Sequence, residues 1–455
     1  MASVLRQTDT DMTSGGIVRQ LIVFAMPLLI GNIFQQLYNT VDSVVVGNYV
    51  GKEALAAVGS VAPIINMLIG LFSGLAAGAG VVISQYYGAH DDRRVHDAVH
   101  TTMALTLVLC VVLSVIGVWI VPATLRMMDT PEDVFAMASE YLTIYFEGLA
   151  GLLLYNIGAG ILRAVGDSRR PLYFLIFSAL TNTGLDLLFV TQFHMGVAGV
   201  AIATVVAQVL SAILVLVVLT ASRSSYRIIW RDVRFDGRML RQTCRIGMPS
   251  AIQMAVTSFS NIFVQAYINR FGSACMAGWT SYGKIDAFAL LPMMTVSMAA
   301  TTFVGQNLGA GNEERAHSGT KWSLRLAIGI TAVILVPVMV FAPQMIGAFN
   351  REPEVLHYGT LFVRVISPFY LLCAVNQVLA GSLRGAGDTK IPMYIMLGSF
   401  VVFRQIYLIV TYRLFGTILP VALGYPVGWV LCSILILIYY RRGNWVRHGV
   451  VDART

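Results

Sequence analysis

Polar and ionisable side chains recur inside stretches of this 455-residue chain that are otherwise long and apolar. The first such stretch carries Gln35, Tyr38 and Asp42 at i, i+3 and i+7, which places them on one helix face. A charge at this depth costs roughly 2.5–3.5 kcal/mol on insertion scales, so the stripe must face the protein interior or water. The fourth stretch holds Glu140, Tyr141, Glu147 and Asn156. The fifth holds Asn182 and Asp186, and the sixth Thr204 and Gln208, each pair at i and i+4. If successive stretches cross a bilayer in alternate directions, Asp42, Asn182 and Asp186 fall in the outer halves of outward-running helices. Tyr141 and Thr204 then fall in the outer halves of inward-running ones. Four helices thus present oxygen atoms at a similar depth. Two carboxylates with amide and hydroxyl oxygens suit either a small hard cation or shared protons.

The elements that position these groups follow from composition. The chain is 57% hydrophobic and only 12% charged, with a mean hydropathy of +0.73, whereas soluble proteins are about a quarter charged. A bilayer core needs about 20 apolar residues per crossing. Such segments fall at about 21–47, 55–85, 98–121, 134–160, 171–192, 196–221, 247–269, 276–306, 321–345, 355–382, 392–415 and 419–440. The expected fold is therefore an all-α polytopic membrane protein with twelve transmembrane helices. The residues before Leu21 are polar and lack a short apolar segment with a cleavage site, so the first helix is expected to stay as an anchor. Pro27 inside it removes a backbone donor and favours a kink.

The twelve segments divide into two sixes by an internal repeat. GILRAVGDSRRPLY (160–173) aligns with GSLRGAGDTKIPMY (381–394) at an offset of 221, sharing Gly160/Gly381, Arg163/Arg384, Gly166/Gly387, Asp167/Asp388 and Pro171/Pro392. SQYYGAHDDRR (84–94) answers GQNLGAGNEER (305–315), and RQLIVFAMP (19–27) answers RQTCRIGMP (241–249). An even number of crossings per half gives both halves one orientation, a parallel repeat about the membrane normal. The expected organisation is an N-terminal six-helix lobe (1–221), a cytoplasmic linker (222–246), a C-terminal six-helix lobe (247–440) and a cytoplasmic tail (441–455). Segments on one side of the alternation carry 23 of the 31 Lys and Arg residues, the positive-inside pattern, so both termini are expected in the cytoplasm. The net charge of +8 is thereby explained by headgroups, without a nucleic-acid partner.

The second half is poorer in acids. Asp42 answers to Val264 and Asp186 to Tyr407, so neither carboxylate is duplicated. Its own intramembrane ions are Lys284, Asp286, Arg364 and Arg404. Asp286 is a candidate for charge in a central cavity, or for pairing with Arg404 or Lys284. Met276, Met293, Met294 and Met298 offer adaptable apolar surface or ordinary packing. The five scattered cysteines support neither a disulfide framework nor a metal site.

With MPLLIGNIFQQLYNTVDSVVVG (26–47), GQNLGAG (305–311), LRAVGD (162–167) and LRGAGD (383–388), residues 15 to about 440 resemble the multidrug and toxic compound extrusion (MATE) family. The resemblance implies two six-helix lobes forming a V around a central cavity. It implies secondary active efflux of amphipathic, cationic, drug-like compounds by antiport with H+ or Na+, with no other cofactor. It assigns cation or proton coupling to Asp42, Tyr141, Asn156, Asn182, Asp186 and Thr204, with Na+ held by Asp42, Asn182, Asp186 and Thr204. Gln35 and Pro27 match as well. Tyr38, Glu147, Asp286 and Met293 complete the candidate substrate cavity with Gln35. Around Thr257 and Ala374 the chain lacks acids that sodium-coupled bacterial members carry, which shifts the expected coupling to the first lobe. A monomer in the plasma membrane (the inner one if the host has two), with no obligate protein partner, is expected.

Two other classes fit less well. A flippase for lipid-linked sugars wants a basic cavity, yet the first-half spans hold only Arg163, near an end. A membrane enzyme is disfavoured because HExxH is absent and no GxSxG is evident. The duplicated Arg–Gly–Asp–Pro turns read better as braces between helices than as phosphate chemistry.

Overall fold

The computed structural model describes residues 11–128 and 130–451; Arg6 and Arg454 of the basic segments lie outside them. Among the described residues the chain is helical between short turns, with no strand. In order run α1 (Ile17–Val45), α2 (Lys52–Gly88), α3 (Asp92–Met127), α4 (Glu132–Glu147), α5 (Leu149–Ala164), α6 (Arg169–Leu187) and α7 (Gly196–Ala221). A short linker leads to α8 (Gly237–Asn269), α9 (Ser273–Gly309), α10 (Glu313–Val340) and α11 (Ala342–Gly347). They are followed by α12 (Pro353–Ile366), α13 (Tyr370–Gly385), α14 (Lys390–Leu397), α15 (Arg404–Phe415), α16 (Ile418–Ala422) and α17 (Gly424–Arg442).

Ten spans are long and apolar enough to cross a membrane unaided, and α4 with α5 makes an eleventh bent by 49°. The twelfth is α8, which starts ten residues before the expected Gly247 and whose apolar stretch is diluted by Gln253, Asn261 and Gln265. The α4–α5 bend falls at Gly148, where a Cβ would come within 2.2 Å of Val205. Helix α1 runs uninterrupted through Pro27, and its departure from α geometry is a π-helical turn at Val46–Val50. Two further π-helical turns follow α6 (Leu188–Gln192) and α14 (Gly398–Phe403); they are not repeat-related, since Gly398 answers to Phe177 inside α6. Apolar stripes face outward, as Val111, Val115 and Trp119 of α3 do, while Cys110, Gly117 and Val121 of that helix are buried. Such stripes are stable against lipid, not water. All five cysteines are free.

The duplicated turns are built alike. Gly166 and Gly387 adopt φ of +89° and +87°, which only glycine enters at low cost. The amides of Asp167 and Asp388 donate to Leu162 O (2.9 Å) and Leu383 O (3.0 Å). Asp167 then accepts from the Arg169 and Arg170 amides, both at 3.1 Å, opening α6. The two turns diverge in their outer partners. Asp167 pairs with Arg170 at 3.3 Å, whereas Asp388 accepts from the Tyr439 hydroxyl. These aspartates brace helix starts.

The chain forms two compact units, and they do not coincide with the two halves of the repeat. One comprises Met26–Gly247; the other joins Met12–Ala25 to Met248 onward. The linker between the two repeat halves falls in the first unit, and the start of α1 in the second. Polar residues of the GQNLGAGNEER motif explain the latter. The Met12 amide donates to Gln306 Oε1 (3.0 Å), and its carbonyl accepts from Asn307 Nδ2 (3.1 Å) and Arg315 Nε (3.2 Å). Arg315 Nη2 reaches Ser14 O (3.1 Å) and Gln20 Oε1 (2.8 Å). At the equivalent place in the first unit, the Tyr86 hydroxyl donates to Gln242 Oε1 at 3.1 Å. Gln20 and Gln242 are repeat partners, so each half's leading segment is fastened to the other half's motif.

Within the second unit α9 packs along α13, α10 and α12. Ser297 Oγ donates to Gln377 O (2.6 Å) and Thr301 Oγ1 to Gly381 O (2.9 Å), zipping α9 to α13 at close range. A Cβ on Gly385 would lie 2.4 Å from Thr301 O, a backbone atom that cannot rotate away. Gly385→Ala is expected to destabilise the protein by about 1–3 kcal/mol, read as a lower thermal unfolding midpoint in detergent. The repeat-equivalent position already holds an alanine, Ala164.

Candidate functional site

The first unit gathers most of the predicted coupling residues. Helix α1 supplies Tyr38 and Asp42, α4 supplies Tyr141, α6 supplies Asn182 and Asp186, and α7 supplies Thr204. The i, i+3 and i+4 spacings of the sequence put each set on one face, and the packing of α7 against α4, α5 and α6 turns those faces together. Asp186 is fully buried, Asn182, Thr204 and Tyr141 are nearly so, and Asp42 is half-buried. The carboxyl groups of Asp42 and Asp186 are close enough to interact, and both act on the phenols of Tyr38 and Tyr141. Asn182 Nδ2 donates to Thr204 Oγ1 at 3.3 Å.

The decisive property of this cluster is what its oxygens lack. With both carboxyl groups ionised, Asp42 Oδ1, Asn182 Oδ1 and both Asp186 carboxylate oxygens are buried with no hydrogen-bond partner, whereas a proton between Asp42 and Asp186 would join the two. Buried polar atoms are nearly always satisfied, and leaving one without a partner costs about 1–3 kcal/mol, more if charged. Four orphaned acceptors from three neighbouring side chains form an oxygen-rich, electron-rich pocket that a proton or a small hard cation completes. The chemistry of the donor set therefore fits either ion.

Sequence reasoning missed Tyr145. It lies one turn beyond Tyr141 with ring centroids 6.5 Å apart, is buried, and is hydrogen-bonded to Gln208. Its i+4 spacing from Tyr141 was the available signal. Other expected members stand apart. Asn156 Nδ2 donates to Leu152 O of its own helix (2.8 Å). Glu147 is exposed at the end of α4, beside the bend, and Gln35 is exposed one turn before Tyr38. Met293 is fully buried in the apolar core of the second unit, so it packs there and lines no open surface.

The second unit treats its acid differently. Asp286 Oδ1 accepts from the hydroxyls of Tyr282 (3.0 Å) and Tyr370 (2.6 Å). Neither expected cation pairs with it. Arg404 Nη2 donates to Ser260 Oγ (2.8 Å) and Asn261 Oδ1 (2.9 Å), and its guanidinium lies 4.7 Å from the Tyr425 ring centroid. Lys284 sits over Phe349 at 5.1 Å. Val264, at the place of Asp42, is core.

A duplicated set of membrane-crossing helices, one half of which holds a buried cluster of carboxyl and amide oxygens, is the pattern of a multi-pass membrane transporter. The family model MatE matches the chain twice, at residues 27–188 and 249–410, which is the repeat read from the sequence, and the chain belongs to that family. The probable multidrug resistance protein YpnP of Bacillus subtilis is 29% identical over 435 residues, covering 96% of this chain and 97% of its own. The probable multidrug resistance protein NorM of Thermotoga maritima is 25% identical, covering 95% and 94%. A solved transporter of the MOP superfamily from Pyrococcus furiosus superposes with a TM-score of 0.90 at 23% identity, covering 96% and 97%. The architecture is thus the two-lobed, twelve-helix one.

Exchanging Asp186 for Asn removes a buried carboxylate without a partner and sets an amide donor beside Asp42. Asp186→Asn is therefore expected to fold normally and to unfold at the same or a higher temperature than the parent, as measured by thermal unfolding in detergent.

Proposed function

We propose that the protein exports amphipathic, cationic, drug-like compounds by antiport with H+ or Na+, with coupling confined to the first unit. The observation that carries this reading is the set of four orphaned oxygens on Asp42, Asn182 and Asp186. The contrast with Asp286, already satisfied by two phenols, supports placing the exchangeable ion on Asp42 and Asp186. The names of the relatives, multidrug resistance proteins over nearly full length, support the substrate class.

The mechanism is alternating access in which drug and ion compete for the same carboxylates. Uptake of the ion neutralises Asp42 or Asp186, removes the attraction for a cationic drug and releases it outward. Loss of the ion on the other side restores the negative charge that draws the next drug. A ligand shifts such an equilibrium only through unequal affinity for its states, so the ion must favour one of them. Helix α1 carries Asp42, Pro27 and a π-helical turn in one continuous element. A change of charge on Asp42 is thereby joined to a helix with a missing backbone donor, where bending costs little. The protein works in the plasma membrane with its basic loops and termini in the cytoplasm, as its Lys and Arg distribution supports.

Purified protein in liposomes loaded with a fluorescent cationic dye tests this, with a proton gradient and a sodium gradient imposed separately. One gradient is expected to drive dye movement in the parent, and Asp42→Asn to abolish it without loss of folded protein. Full transport by Asp42→Asn would sink the coupling assignment.

A further inference from the structure

Two histidines outside the pocket tie the linker to helix α3. His96 and His100, one turn apart, stack with ring centroids 3.9 Å apart at 30°. The linker's short 3-10 turn, Trp230–Asp232, brings an Asp232 oxygen to 3.4 Å from His96 Nε2, and Asp97 lies 3.9 Å from His96 Nδ1. His100 is engaged at both ring nitrogens. Its Nδ1 lies 2.7 Å from the His96 carbonyl oxygen, and the Ile229 amide donates to its Nε2 at 2.9 Å. A carbonyl only accepts and a backbone N–H only donates, so this network assigns the proton to Nδ1 and leaves Nε2 bare. Beside it, Thr101 Oγ1 donates to Arg234 O (3.4 Å) and accepts from the Asp236 amide (3.0 Å). The linker from Ile229 to Asp236 is thus sewn to one face of α3.

The two rings respond to protons in opposite ways. A proton on His96 adds charge to its pairing with Asp232 and Asp97. A proton on His100 Nε2 sets a donor against the Ile229 N–H, which then has no acceptor there. The titratable groups acting on His100 are His96 from its own helix and Asp232 from the linker. We propose that His96, His100 and Asp232 form a proton-responsive clasp, which holds the linker on α3 while His100 is neutral and releases it when His100 is protonated. The linker between the two repeat halves thereby senses the pH of the compartment bathing it. This holds whichever compound the protein carries.

The three side chains also bring one ligand atom each within 4.8 Å of the others. A divalent ion would have to take a His100 nitrogen away from either the Ile229 amide or the His96 carbonyl. The geometry therefore favours protons.

Hydrogen–deuterium exchange of the full-length protein in detergent, followed in peptides covering 226–236 and corrected for intrinsic exchange, reads the clasp. Protection of the Ile229 and Asp236 amides is expected to fall about tenfold between about pH 8 and pH 5, through the range where histidine ordinarily titrates. His100→Gln keeps an acceptor for Ile229 but does not titrate, so its protection should stay high across that range. Thr101→Val should lower protection at every pH without moving the midpoint. A parent profile independent of pH, or the parent's profile unchanged in His100→Gln, would overturn the proposal. So would zinc raising protection in the parent and not in His96→Ala, which would make the cluster a metal site.

Discussion

Inside a bilayer no water is available to rescue a polar atom, so every buried donor and acceptor must find its partner within the protein. The rest of this structure can be ordered by how its polar groups meet that demand. Asp286 meets it with two tyrosine hydroxyls, and Arg404 Nη2 with Ser260 and Asn261, while Arg404 Nε stays without a partner. Ser297 and Thr301 of α9 meet it by bonding to carbonyls of α13, and Thr280, Ser281 and Thr295 by bonding to carbonyls of α9 itself. Asp42, Asn182 and Asp186 leave four acceptors unmet in one small region. Unmet acceptors gathered in one place favour whatever supplies a proton or positive charge there.

Duplication and specialisation act on different levels of the chain. The repeat preserves backbone devices: the positive-φ glycines Gly166 and Gly387 and the aspartates that follow them. It does not preserve the ligands, since Val264 and Tyr407 stand where Asp42 and Asp186 would recur. Backbone geometry must be kept for either half to fold, whereas an orphaned carboxylate is a cost that either half can dispense with. One half keeps that cost and the other has replaced it with packing, so a symmetrical scaffold acquires an asymmetrical site.

The exchange of leading segments joins the halves more tightly than a single linker would. Met12–Ala25 is built into the unit of the second half, and the segment before α8 into that of the first. Arg315 and Gln306 hold one, and Tyr86 holds the other through Gln242. Helix α1, which carries Asp42, therefore begins in one unit and ends in the other.

Much was legible in the sequence because hydrocarbon thickness imposes a length and polarity rule on every crossing. The apolar segments, the doubled motifs and the faces bearing Tyr38, Asp42, Asn182, Asp186 and Thr204 all follow from residue type and helical period. The α4–α5 bend, the early start of α8 and the seclusion of Asn156 did not, because they depend on which neighbour a glycine, an arginine or an amide meets. Likewise, sequence placed Asp42, Asp186 and Asp286 alike as intramembrane acids. Only the fold separated them, since a hydrogen-bond partner is a property of distance across helices. The sequence by itself determined a duplicated twelve-helix membrane protein with acids at matched depth. The tertiary structure decided which acids stay unsatisfied, and which segment fastens to which half, because both depend on contacts between residues far apart in the chain.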